Sequence, residues 1–175
     1  MKFLFASDSF KGTISSRRTA ELLAKAAKEI FPGCECGGVE MADGGEGTTD
    51  AVISAVGGGR IEAKVHGPLW EERVSCYGKI DDRRAVMEMA AASGLPLVPW
   101  EERNPLKTTT FGTGEMISDA IKRGFRDISI AIGGSATNDG GIGCMRALGV
   151  RFLDENGREL NGCGEDLIRI RNIDA

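Results

Sequence analysis

Basic charge is scarce in this chain: 22 Lys and Arg against 26 Asp and Glu give a net charge of −4 over 175 residues. That balance excludes a general nucleic-acid binder, whose affinity rests on many basic phosphate contacts, and leaves room for a local basic site for a small anion. Long apolar runs are missing too. The opening MKFLFASDSFKG turns polar by residue 7, too early for the apolar core of a signal peptide, and no run approaches the roughly 18 apolar residues of a membrane span. A cytoplasmic protein without a membrane partner is expected. There is one histidine, His66, and the five cysteines at 34, 36, 76, 144 and 163 are odd in number. Cys34 and Cys36 stand one residue apart, which fits neither CxxC redox chemistry nor the common zinc spacings, so free thiols in a reducing compartment are expected.

Glycine is what the chain has in excess. Its 25 glycines, with only five prolines and no collagen period, belong in turns and ligand loops. With 41% apolar and 27% charged residues the chain can build a core. Residues 2–7 read as a short buried strand. Residues 15–31 read as an amphipathic helix with Ala20, Leu23, Ala24, Ala27, Ile30 and Phe31 on one face, Ser15 as N-cap and Pro32-Gly33 as stop. A weaker strand near 36–41 and a helix over 48–56 continue the strand–loop–helix alternation of a parallel, helix-covered sheet. After Gly59 the rhythm changes. Strands over 60–66, 73–79 and 84–89 have no room for helices between them and must be antiparallel or mixed neighbours. A helix over 115–122, an apolar strand over 128–132 and a helix over 142–148 follow; from 150–153 onward the chain grows increasingly polar, and it ends within what reads as a new unit. A second structural unit is expected to begin near residues 60–68.

Four polar loops mix glycine with hydroxyl or ionisable residues directly after apolar segments: DSFKG (8–12), ADGGEGT (42–48), TTTFGTGE (108–115) and GGSATNDGG (133–141). In an open α/β sheet, ligands collect beyond the carboxyl ends of strands. The last loop supplies Gly133, Gly134, Ser135, Thr137, Asn138, Asp139 and Gly140 between a strand and a helix. It reads as an anion or phosphate cradle, or as a glycine-rich turn that Asn138 and Asp139 cap. It is no Walker A loop, and no GxGxxG occurs. Lys11 suits the neutralisation of a phosphoryl group, and Asp8 suits Mg²⁺ or a hydroxyl; the competing reading is a solvated lysine and a turn-forming aspartate. Asp43 and Glu46 are hard oxygen ligands of the kind Mg²⁺ takes together with substrate phosphates, although Glu46 also suits the first turn of the next helix. Arg103, Lys107 and the threonine row that includes Thr110 and Thr113 suit an anionic substrate group, and threonine rows are also common in strands. Trp70, Trp100, Cys34 and Cys36 read as packing or surface residues.

Together SDSFKGT (7–13), ADGGEGT (42–48), VMEMAAASGLPLVP (86–99), ERNPLKTTTFGTGE (102–115) and IGGSATNDGGIG (132–143) resemble the glycerate kinase type 1 family, in the same order and across essentially the whole chain. The resemblance implies phosphorylation of D-glycerate by ATP with Mg²⁺, to 2- or 3-phosphoglycerate. It also implies two α/β domains, one flavodoxin-like, with the site in the cleft between them. Residues 1–65 would be the N-terminal part of the flavodoxin-like domain and 66–175 a second mixed α/β domain. Members run to about twice this length, so the fold class expected here is a partial one and a C-terminal half is expected in the full protein. The usual proline of the opening motif is replaced by Ser7, a change expected to matter little. The family's loops map to Asp8, Lys11, Asp43, Glu46 and residues 135–139. In the reading that follows, the 133–141 loop and Lys11 bind phosphate, Asp43 with Asp8 and Glu46 positions Mg²⁺, and Asp139 takes the proton of the attacking hydroxyl. Arg103 or Lys107, beside Thr110 and Thr113, pairs with the glycerate carboxylate. The alternatives are a fragment or structural subunit that binds glycerate or phosphate without turnover, and a kinase for another small hydroxy acid; a homo-oligomer stays open.

Overall fold

A computed structural model describes residues 1–10 and 12–175. The first unit is a βαβ crossover: β1 (Lys2–Phe5), α1 (Ser16–Ile30) and β2 (Glu35–Gly38), with β1 and β2 parallel and Phe3 opposite Cys36. Ser15 caps α1 as expected, its hydroxyl accepting from Arg18 N at 3.2 Å. The apolar face of α1 is narrower than its sequence suggests. Ala20 is buried and Ala24 and Ala27 are half-buried against the strands, while Leu23 and Ile30 stay exposed. Two strands are too narrow a platform to cover the whole stripe. The contact is close where it exists, because a Cβ on Gly38 would lie 2.9 Å from the Ala20 Cβ. Leu4 of β1 is 70% exposed, so this parallel pair is open on one face, whereas parallel sheets are ordinarily covered on both.

Helix α2 (Thr48–Val56) leads through Gly57 and Gly58 into a four-stranded sheet of order β3 (Gly59–His66), β4 (Glu72–Lys79), β5 (Arg84–Glu88), β6 (Asp127–Ala131). β3–β4 and β4–β5 are antiparallel and β5–β6 is parallel, the mixed arrangement that the short gaps predict. β3 pairs with β4 over its full length, from Gly59 opposite Lys79 to His66 opposite Glu72. β3 therefore belongs to the same sheet as β4–β6. Its core packs Ala63, Val65, Tyr77, Ala85, Met87 and Phe125 against Ala92, Met116 and Ala120 from the helical side. Apolar area of this kind is worth roughly 25 cal/mol per Å² buried and supplies most of what holds the sheet to its helices. β6, apolar in sequence, is an edge strand with Ile130 half-open, and Ile132 just beyond it is 76% exposed.

A four-residue helix α3 (Ala90–Ser93) follows β5 directly. Helix α4 (Phe111–Lys122) starts four residues before the predicted 115, with Gly112 and Gly114 inside its first turn. A Cβ on Gly112 would lie 1.8 Å from the His66 carbonyl oxygen, and one on Gly114 2.2 Å from that of Cys144. These glycines serve close helix packing rather than a loop. α5 (Ile142–Ala147) crosses α4 there, and β7 (Arg151–Leu153) pairs antiparallel with β8 (Asn172–Asp174). A small second core of Ile142, Phe152 and Leu160 closes this end. Among the described residues, no helix is long and apolar enough to cross a membrane.

Candidate functional site

Three of the four polar loops follow the C-terminal ends of strands: 8–12 after β1, 42–48 after β2 and 133–141 after β6. The fold brings them together. Gly133 N donates to the Gly44 carbonyl at 2.9 Å, and a Cβ on Gly133 would meet that oxygen at 2.8 Å. The 108–115 segment packs on the same loop, with Thr108 Oγ1 donating to Ala136 O at 2.9 Å and Thr137 Oγ1 donating to Thr108 O at 2.8 Å.

Two cavities flank the end of β5. Glu88, the last residue of that strand, lines a cavity of about 400 Å³ together with Ser9, Gly12, Glu46 and Thr49. Met89, the next residue, lines a second cavity of about 340 Å³ together with Ser135, Asn138 and Asp139. Met89 already has helical backbone, and at this turn from strand to helix the two adjacent residues face different cavities. The 42–48 and 133–141 loops, in contact through Gly44 and Gly133, each line one of them.

Asp139 is 2% exposed and its carboxylate accepts four hydrogen bonds, three of them at Oδ2. Oδ2 accepts from Thr110 N and Thr110 Oγ1, both at 2.8 Å, and from Gly143 N at 3.3 Å. Oδ1 accepts from Gly141 N at 2.9 Å. The side chain ties the start of α4 to the start of α5. Burial, with a smaller contribution from the Asp139 charge, pushes the neighbouring Cys144 thiol up. Thr110 is spent on Asp139 and on Cys144 N, and Thr113 shares a buried 2.9 Å hydrogen bond with Ser93. Ser135 Oγ bonds within its own turn, accepting from Thr137 N at 3.1 Å. The backbone N–H groups of Asn138, Asp139 and Gly140 donate to no group among the described residues, and all three residues line the second cavity.

Arg103 and Lys107 line neither cavity. Arg103 lies 4.9 Å over the Trp100 ring and donates to Val98 O at 3.3 Å. Lys107 is paired with Glu165 at 2.5 Å, and that hydrogen bond raises its pKa. Asp8 and Asp43 are exposed, and each accepts from a backbone N–H of its own turn, Ser9 at 2.7 Å and Gly45 at 3.1 Å. Glu46 lines the first cavity and Asp43 does not. Lys11 lies outside the described residues. Among those described, no three His, Cys, Asp or Glu side chains cluster as a metal cage. Sequence reasoning missed Glu88. It is 8% exposed, and its Oε1 accepts from Thr49 N at 2.6 Å at the start of α2. A lone carboxylate closing the apolar run AVME was the available signal.

Glycine-rich loops beyond the ends of parallel strands in two separate sheets, with helices packed beside them, define an α/β protein whose loops line two cavities. Residues 3–175 match the model of the Glycerate kinase family. The chain is 48% identical to a glycerate kinase of Bacillus subtilis (strain 168) over 100% of its own length and 46% of the relative's. It is 47% identical to a glycerate 2-kinase of Escherichia coli (strain K12), over 99% of the chain and 46% of that protein. A crystal structure of a protein assigned as glycerate kinase 2 from Salmonella typhimurium LT2 superposes with a TM-score of 0.79 at 43% identity, covering 99% of this chain and 47% of that one. The chain belongs to the glycerate kinase family. It spans about half the length of the relatives it matches.

Proposed function

We propose that this chain forms part of an ATP-dependent kinase that transfers the γ-phosphoryl group to a hydroxyl of D-glycerate. The observation that carries the reading is the pair of cavities at the β5 end, whose lining loops 42–48 and 133–141 touch through Gly44 and Gly133. In this reading the unspent N–H groups of residues 138–140 take nucleotide phosphate oxygens, which glycine-rich backbone does without a side chain. The hydroxyl substrate occupies the cavity of Glu88. Asp139 keeps the cradle in shape through its four accepted hydrogen bonds. Ser135 and Thr137 stiffen the same loop.

Mg²⁺ fits the donor set in a limited way. The described residues offer separate carboxylates rather than a cage, which suits an ion that keeps waters and relies on substrate phosphates. Glu46, on the cavity wall, and Asp43, three residues before it, are the residues that would hold it. The ion, when bound, would supply charge neutralisation on the transferring group. Arg103 or Lys107 reaches the substrate carboxylate only if its present partner, Trp100 or Glu165, is given up. We further infer a flavodoxin-like domain containing β1, α1 and β2 and a second α/β domain, joined at Gly57–Gly58.

The test is ADP release by the purified protein on addition of D-glycerate with ATP and Mg²⁺. Release that depends on glycerate supports the reading, and nucleotide turnover indifferent to it overturns it. A second reading, binding without turnover, draws on the open face of β1 and β2, where Leu4 is exposed. Calorimetric binding of D-glycerate with no ADP release would select it.

A further inference from the structure

The carboxylates near the cavities differ in what they have left to give. Asp139 accepts four hydrogen bonds, and no lone pair of Oδ2 remains for a substrate. Asp8 and Asp43 are exposed and sit in their own turns. Glu40 and Asp50 also line the first cavity, but Glu40 is paired with Arg17 at 2.7 Å and Asp50 with Arg60. Glu46 is exposed. Glu88 is different. It is buried at the rigid end of a central strand, lines the cavity, and is oriented by one 2.6 Å hydrogen bond from Thr49 N to Oε1. Among the described residues nothing donates to its Oε2.

A buried carboxylate with one oxygen anchored and the other open to a cavity has the geometry of a proton acceptor, because its direction is fixed before the ligand arrives. It lacks the neighbours of a metal ligand, since no third acidic side chain clusters with it among the described residues. We propose that Glu88 Oε2 receives the acceptor hydroxyl of the substrate in this cavity and takes its proton during transfer. The inference rests on the kinase reading above. The hydroxyl oxygen forms the new bond to the γ-phosphorus while its proton passes to Oε2. The bond from that phosphorus to the bridging oxygen breaks, and the electron pair leaves on ADP; Glu88 later gives the proton to solvent.

Two substitutions test this in the intact protein. Glu88→Gln can still accept from Thr49 N through its amide oxygen but cannot take a proton. It should lower kcat by about 10² or more with KM for D-glycerate nearly unchanged and thermal stability retained, and Glu88→Asp should recover part of the loss. Glu88→Ala, checked for folding by circular dichroism, should weaken calorimetric binding of D-glycerate without nucleotide by about tenfold or more, the scale of a lost hydrogen bond to a charged group. An active protein in which Glu88→Gln turns over normally, or in which Glu88→Ala binds normally, overturns the role of Glu88 and leaves the kinase reading standing. Glu88-dependent binding with no ADP release in the unaltered protein overturns the kinase reading and keeps the contact. An unaltered protein that neither binds glycerate nor turns over sinks both.

Discussion

Asp139 Oδ2 lies 2.8 Å from both the backbone nitrogen and the hydroxyl oxygen of Thr110, 29 residues away. One buried oxygen thereby fixes the first turn of α4, and through Gly143 N it also fixes α5. Asp139→Asn replaces an acceptor with an amide whose NH₂ would face donors. It should destabilise the protein by about 1.5–3 kcal/mol, the range for hydrogen bonds to a charged group. Urea denaturation reads this directly. A variant as stable as the parent would show that Asp139 is no strut, and any loss of activity would then have to be chemical.

Gly→Ala inside a helix usually stabilises by about 0.5–1 kcal/mol, since alanine loses less entropy. At Gly114 the opposite is expected. The new methyl would fall 2.2 Å from the Cys144 carbonyl oxygen and 2.8 Å from the Ala147 Cβ, forcing α4 and α5 apart. Overpacking of this kind costs about 1–3 kcal/mol. A lowered denaturation midpoint for Gly114→Ala confirms the close crossing, and an increase contradicts it.

The same crossing shows where the sequence stopped being readable. Ser15 announces α1 because its cap is local, and β3 and β4 announce themselves by the short turn between them. The first turn of α4 does not, because FGTG looks like a loop unless it is known that His66 and Cys144 press against those glycines from elsewhere in the chain. The site divides the same way. The loops at 42–48 and 133–141 are visible as glycine-rich strings, and the structure puts them in contact. Lys107 is legible as a cation, but its partner Glu165 stands 58 residues on. Glu88 hides in an apolar strand because its meaning lies in Thr49 N and in a cavity made by other segments.

Cysteine chemistry should follow burial. Burial, reinforced by a hydrogen bond to Asp166, pushes the Cys163 thiol up to about 11. A thiol so placed is protonated and shielded at pH 8, and the thiolate is the nucleophile. Iodoacetamide at pH 8 with mass-spectrometric mapping should therefore modify Cys163 far more slowly than half-buried Cys34. Removing the negative charge with Asp166→Asn should speed the reaction; equal rates at Cys34 and Cys163 in the parent would contradict the assignment.

The turn between β4 and β5 carries an acid-sensitive contact. The Arg83 N–H, then the Arg84 side chain and N–H, lower the Asp81 carboxyl to about 2. An unfolded aspartate titrates near 3.9. A carboxyl whose folded value is the lower one adds stability above the unfolded value, and that contribution drains away as pH falls from about 4 towards 2. The group is exposed, so the effect is small and weakens in salt. Asp81→Asn should therefore lower the melting temperature slightly at pH 6 and not at all near pH 2. Parallel curves for parent and variant across that window would show that Asp81 contributes no proton-linked stability.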